Sequence, residues 1–350
     1  MNCYIETAST SLECIENCVR SNEEGAIVNL SPDFLIRSDI ADKDNAFPSF
    51  DFINQLPPRD EQKGFENIEE MLDFYKNYKD ISELWTIVKK GWTLTNSGNL
   101  DLAQKTFSKY RPQNFDGEPK LNYVLFDFCS RICNPERHSI FEGMGDEAST
   151  AKIDHPETYT KFIDYISNEI SYEHMDRYLN TFKDYFSCYS DFSQTLMYSQ
   201  NNINIPADFK ATSANFSKTK QFYGNAFENI TSNLTTIACI NNINSGREYD
   251  QFEKMDIKQY KKINKANKIN PLKSNPAFNQ IEQCLKSDIR NASHHAWIKY
   301  RSGIVEYKSG GTGKLNKLPY PEYLYLCNEI LIYTASLLKL DLAVTFNEPN

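Results

Sequence analysis

The sequence predicts a mostly α protein, and three observations carry that expectation. Apolar residues recur at helical spacing over long stretches, most strongly after Pro156. One short strand, Gly303–Lys308, and the Gly-rich turn after it make a brief β-hairpin-like excursion before the last helix. With 40% hydrophobic residues, 24% charged residues, 21 Tyr and 22 Phe, the chain can bury a sizeable core and is not disordered. At 350 residues, two domains are expected. Residues 1–150 read as a mainly helical or α+β domain of unassigned fold with a sensing or regulatory role, and residues 156–350 as a helical bundle.

The elements follow in order. Residues 1–60 are weakly patterned, and Pro32, Pro48, Pro57 and Pro58 break them into loops with a few short strands. Ile68, Met71, Leu72, Tyr75, Ile81, Leu84, Trp85 and Val88 mark a helix that Gly91 should stop. Leu121–Cys133 reads as a buried helix closed by Asn134-Pro135. Ser139–Asp154, with Gly143 and Gly145, is the expected interdomain connection. Two helices should span Tyr159–Phe192, with their Phe and Tyr stripe as bundle core, and one should span Phe222–Ile243. A loop-like basic stretch is followed by a helix opening near Ala277, whose apolar face is Phe278, Ile281, Leu285, Ile289, Ala292 and Ala296. The last helix, about Pro321–Leu340, carries Leu324, Cys327, Ile330, Leu331, Thr334, Leu337 and Leu338.

Several classes are excluded. No segment approaches the roughly 18 unbroken apolar residues of a membrane span. The opening MNCYIETASTSLECIEN has neither the basic nor the apolar region of a secretory signal. Nine scattered cysteines, an odd number, suit reduced thiols and a cytoplasmic location rather than a disulfide framework. Ser309–Lys314 lacks the glycine and hydroxyl positions of a phosphate loop and reads as a flexible turn. Glu306 and Lys308 after Asp288 resemble a metal-nuclease set, but Asp288 falls on a helix. Cys129, Cys133 and His138 would need a fourth ligand to hold zinc, and buried helix cysteines are the commoner case. No metal site and no cofactor are expected.

Charge is unevenly spread. Between Arg247 and Lys317, fifteen Lys and Arg face seven Asp and Glu, a balance of +8 in a chain of formal charge -9. A basic segment in an acidic protein is the footprint of phosphate binding, or else a solvated face. Inside it stands SDIRNASHHAWIKY, with two of the five histidines of the chain. On a helix, Arg290 and His294 share a face, as do Asn291 and His295. Arg forks two donors onto a phosphate, and His exchanges a proton near neutral pH. Metal-free RNA cleavage needs a base for the 2′-OH, an acid for the 5′-oxygen and a cation on the phosphate, and these residue types supply all three. The plainer alternative pairs Arg290 with Asp288 or Glu282 and leaves the histidines capping a helix end.

The run Arg290-Asn291-x-x-x-His295 resembles the Arg-x4–6-His motif of HEPN domains, and the order of helices from Phe222 to Leu340 is similar to theirs. The resemblance implies an HEPN-like C-terminal bundle and a metal-independent endoribonuclease of anti-phage defence or a toxin–antitoxin system. Arg290 would then hold the scissile phosphate, His295 would be the acid/base with His294 as its rival, and Asn291 would orient them. Lys286, Lys299 and Arg301 are the expected RNA contacts. Also implied are a homodimer paired through the bundle and an antitoxin or defence-system partner protein. HEPN domains without catalysis bind nucleotides, nucleic acids or proteins, and that is the alternative function.

Overall fold

Asp80 opens the first described helix, α1 (Ile81–Asn96), its carboxylate accepting from the Ser82 backbone N–H at 2.8 Å. The computed structural model describes residues 80–110, 119–295, 297–310 and 313–345. The loops expected over residues 1–60, and the start of the helix expected from Ile68, lie outside these residues. Gly91 does not stop α1. It sits against Phe107 at the end of α2 (Leu100–Phe107), where a Cβ would fall 2.0 Å from a ring carbon. Close approach of two helices is what the position requires. The stop comes at Ser97 and Gly98, whose φ of 76° only glycine adopts freely.

Helix α3 (Leu121–Cys133) ends at Asn134-Pro135 as expected. The stretch read as an interdomain connection forms α4 (His138–Asp154), with Ile140, Met144, Ala148 and Ala151 buried. Those four positions keep helical spacing, and the glycines among them misled the reading. Gly143 faces Ala277, whose Cβ lies 3.7 Å from where one on the glycine would stand, an ordinary contact distance. The elements on both sides of α4 share one hydrophobic core.

The aromatic stripe after Pro156 is core. It lies on α5 (Pro156–Tyr165), a π-helical turn at Ile166–Ile170, α6 (Ser171–Phe186) and α7 (Tyr189–Gln200). Tyr185 stacks on Phe192 at 4.7 Å, and Phe222 closes on both. The single helix expected over Phe222–Ile243 is two, α8 (Phe216–Asn233) and α9 (Thr235–Asn244), broken at Leu234. Short α10 (Ile257–Lys262) and α11 (Pro276–Asn279) punctuate the basic stretch.

The helix expected from Ala277 to Ala296 is interrupted as well. A 3-10 turn, Gln280–Cys284, precedes α12 (Ser287–His294), and Leu285 and Lys286 leave helical geometry. Tyr223 of α8 replaces the missing helical bonds. Its buried hydroxyl donates to the Cys284 carbonyl and accepts from the Lys286 N–H, both at 2.9 Å. Next comes a three-stranded antiparallel meander, β1 (Ile298–Arg301), β2 (Ile304–Lys308) and β3 (Leu315–Pro319). Ser302 and Gly303, both at positive φ, form the β1–β2 turn, the two-residue type whose twist suits a hairpin.

The last helix, α13 (Tyr320–Thr345), runs longer than expected and is buried on all sides rather than along one stripe. It packs against α3, α4, α6, α7 and α8. Its polar residues find partners that no periodicity reveals. Asn328 accepts from Tyr185 and donates to the Phe192 carbonyl and the Thr195 hydroxyl at 2.8–3.0 Å. Glu329 pairs with Arg137, Lys339 lies over the Phe126 and Phe141 rings, and Asp341 accepts from Tyr178 and faces His174. The described part is therefore mostly helical with one small sheet. None of its helices is long and apolar enough to cross a membrane.

Candidate functional site

The motif helix α12 is anchored by Ile289 and Ala292, which are buried, and by the Tyr223 bridge at its entry. Arg290 and His294 stand one turn apart and meet a matching pair one turn apart on α8. Arg290 Nε and Nη2 both donate to one carboxylate oxygen of Glu228. His294 lies against Gly224, where a Cβ would come within 3.1 Å of His294 Cε1 and 3.2 Å of Nε2. A side chain at 224 would displace the imidazole. Arg290 Nη1 also donates to Asn291 Oδ1 at 2.8 Å.

A guanidinium has five N–H donors, and these contacts use three, so two remain for a ligand. The Arg290 side chain is 28% exposed and therefore within reach of one. The acid holding it is neither Asp288 nor Glu282. Glu282 pairs with Lys273 at 3.0 Å.

His295 occupies the C-cap, its N–H bonded to the Asn291 carbonyl at 3.1 Å. Its ring lies 5.1 Å from that of Trp297, which is 38% exposed. The fold thus joins Arg290 and His294 along α8, keeps Asn291 on the Arg290 guanidinium, and sets His295 beside an open indole.

The meander divides its side chains by alternation. Tyr300, Val305 and Leu318 are in register across it, and Tyr300 packs onto Phe216 and Tyr320. Lys299, Glu306 and Lys317 are in register on the other face, which also carries exposed Arg301 and Lys308. Lys299 and Arg301 thus stand together on an open, mainly basic face. Lys286 is separate. It precedes α12 and lines a cavity of about 280 Å³ with Asp288, Tyr307 and Leu318, to which neither Arg290 nor the histidines contribute.

Glu228, Gly224 and Trp297 escaped the sequence reading. The i, i+4 spacing of 224 and 228 mirrors that of 290 and 294, but nothing in the sequence pairs segments 62 residues apart. Cys129 and Cys133 are fully buried, and burial pushes both thiols up, as suits core packing. Among the described residues no group of three or more His, Cys, Asp and Glu is placed to hold a metal.

The basic stretch is not one surface. Lys265 and Lys268 turn away from the meander toward α6, and burial lowers both ammonium groups. For Lys268, neighbouring Lys265, Lys261 and Arg177 add to burial and bring it down to about 8 from 10.5. Between those values the unfolded chain holds more protons than the folded one, so the contribution of Lys268 to stability rises with pH across that window. Relative to Lys268→Met, the wild type should gain stability from about pH 8 toward 10. Parallel melting curves across that range would contradict the assignment.

The chain matches no family model, no curated protein and no solved structure.

Proposed function

We propose that the chain is a metal-independent endoribonuclease acting in defence or as a toxin, its C-terminal part an HEPN-like bundle. The observation that carries this is the Arg290–His294 pair. A partly exposed guanidinium, oriented by Glu228 and Asn291 with donors to spare, lies one helical turn from an imidazole held on bare backbone at Gly224. Arg290 binds the scissile phosphate, and His294 takes the proton of the 2′-OH as that oxygen attacks phosphorus. His295, beside Trp297, protonates the departing 5′-oxygen. The 2′-O–P bond forms and the P–O5′ bond breaks, leaving a 2′,3′-cyclic phosphate and a 5′-OH. Lys299 and Arg301 carry the flanking strand across the open sheet face, and Trp297 offers a stacking plane for a base. Lys286 contacts the strand where it passes the start of α12.

Purified protein should cleave total RNA in EDTA and spare DNA, which lacks the nucleophile. A requirement for Mg²⁺ or cleavage of DNA would defeat the proposal. One observation favours the silent alternative, a module that binds nucleotide, nucleic acid or protein: Glu228 already neutralises Arg290. Intact RNA after incubation in EDTA would select that alternative.

The working unit in this proposal is a homodimer paired through the bundle, with an antitoxin or defence-system protein as a further partner. Two-fold pairing beside α12 would bring a second Arg290 and His295 to the same cleft. Because the basic patches repel, sedimentation should show association strengthening with salt or bound RNA. A monomer cleaving at full rate would exclude the dimer.

A further inference from the structure

A second cavity, of about 210 Å³, lies between α6, α10 and the turn after α10, and it contains none of the motif residues. Arg177, Lys261, Lys265 and Lys268 line it, against one acid, Glu173. Glu173 is already engaged, accepting from Arg177 at 2.8 Å. Among the described residues no carboxylate forms an ion pair with any of the three lysines. Glu228 attracts Lys265, but its carboxylate is bound to Arg290. The imidazole of His174, on the same wall, turns to Asp341 at 2.9 Å and adds no negative charge.

Lys268 is the decisive member. Only 2% exposed, it holds its ammonium over the Tyr260 ring at 4.3 Å and donates to the Tyr260 carbonyl. Lys265 donates to the Ser232 hydroxyl at the rim. Burying a cation beside other cations is costly; the Tyr260 contacts and the lowered proton affinity of Lys268 offset part of that cost, and an anion in the cavity offsets more. The space holds several waters at about 30 Å³ each, the scale of one or two phosphoryl groups and too small for a nucleic-acid strand.

We propose that this cavity binds a compact phosphoanion, either free phosphate or diphosphate or the terminal phosphates of a nucleotide, on Arg177, Lys261, Lys265 and Lys268. The site is independent of the ribonuclease reading, because no residue of the proposed cleavage reaction lines it. A diphosphate engages more of the four cations than a single phosphate and binds more tightly. The cavity has no aromatic slot for a base, so selectivity rests on charge and size.

Titration calorimetry on the full chain, at fixed ionic strength, tests this with inorganic phosphate, pyrophosphate and ADP. Pyrophosphate should bind saturably below about 1 mM and more tightly than phosphate. Lys265→Gln and Lys261→Gln, both at positions less buried than Lys268, should each weaken it by roughly tenfold while melting like the wild type. ADP binding as tightly as pyrophosphate assigns the site to nucleotide phosphates, whereas much weaker ADP binding assigns it to the free anion. Absence of saturable pyrophosphate binding, or equal affinity in the wild type and both variants, would overturn the proposal. RNA cleavage enters none of these readouts, so failure here leaves the ribonuclease reading intact, and the converse holds.

Discussion

His294→Ala is expected to lower RNA cleavage by about 10²–10⁴-fold, the usual contribution of a positioned acid/base, with little change in melting temperature. The His294 side chain is exposed and rests on the backbone at Gly224, so its removal leaves the core packing intact. Gly224→Val supplies the companion result. The new side chain must enter space within 3.4 Å of Ser293 Cβ and the His294 ring, pushing the imidazole off its seat without touching its chemistry. Turnover should fall while KM stays near the wild-type value, because Arg290 and the sheet face still bind the strand. A His294→Ala enzyme as active as the wild type would remove His294 from the mechanism. If His295→Ala is then inactive, proton transfer rests on His295 alone.

Arg137→Ala should produce the largest loss of stability, about 3–5 kcal/mol, because it leaves a buried carboxylate unpaired. The Arg137–Glu329 pair is 2.6 Å long, with the two side chains 6% and 7% exposed. Arg137 also donates to Asn202 Oδ1 and lies 5.9 Å from the Tyr333 ring, tying α13 to the loop after α7. Burial pushes the Glu329 carboxyl up even against the pull of Arg137. Without the arginine the carboxyl should rise further, so the deficit should shrink as pH falls and Glu329 takes up a proton. Arg137→Met with Glu329→Leu should recover most of the loss in urea melts, since an apolar pair avoids both desolvation costs. A single variant within about 0.5 kcal/mol of the wild type would show that the pair is not holding α13 in place.

Helical character was legible wherever one side of a helix meets the core. Leu121–Cys133 carries an uninterrupted apolar face and a Pro terminator, and its limits follow from the residues alone. Gly91 looks like a breaker until its close neighbour Phe107 is known, whereas Gly143 lies inside a helix that tolerates it, at a cost of about 1 kcal/mol against Ala. The break at Leu285 was hidden for a related reason. Helical periodicity runs through Phe278, Ile281, Leu285 and Ile289, and the Tyr223 hydroxyl, contributed from α8, joins local backbone bonds in stabilising the interruption. Strand β1 alternates Ile298 and Tyr300 with Lys299 and Arg301, but four residues are too few for the period to stand out, and β3 has no regular apolar alternation.

At the site, the chemistry-bearing types were visible and their partners were not. Arg290 and His294 stood out by spacing, and helix geometry already favoured them as neighbours over Arg290 and His295. Glu228 and Gly224 belong to a helix chosen by tertiary packing. The basic stretch looked uniform in sequence because charge counting has no direction. In the fold it separates into the open face of Lys299 and Arg301 and the buried cluster around Lys268.

The most direct measurement is the chemistry of the cut ends. RNA digested by the purified chain in EDTA is treated with polynucleotide kinase and labelled ATP, without prior phosphatase. Attack by the 2′-OH leaves 5′-OH ends, so the fragments should label at once, and their 3′ ends should carry a cyclic or open phosphate. Fragments that accept label only after phosphatase would carry 5′-phosphates, the product of an activated water, and would contradict the mechanism placed on Arg290, His294 and His295.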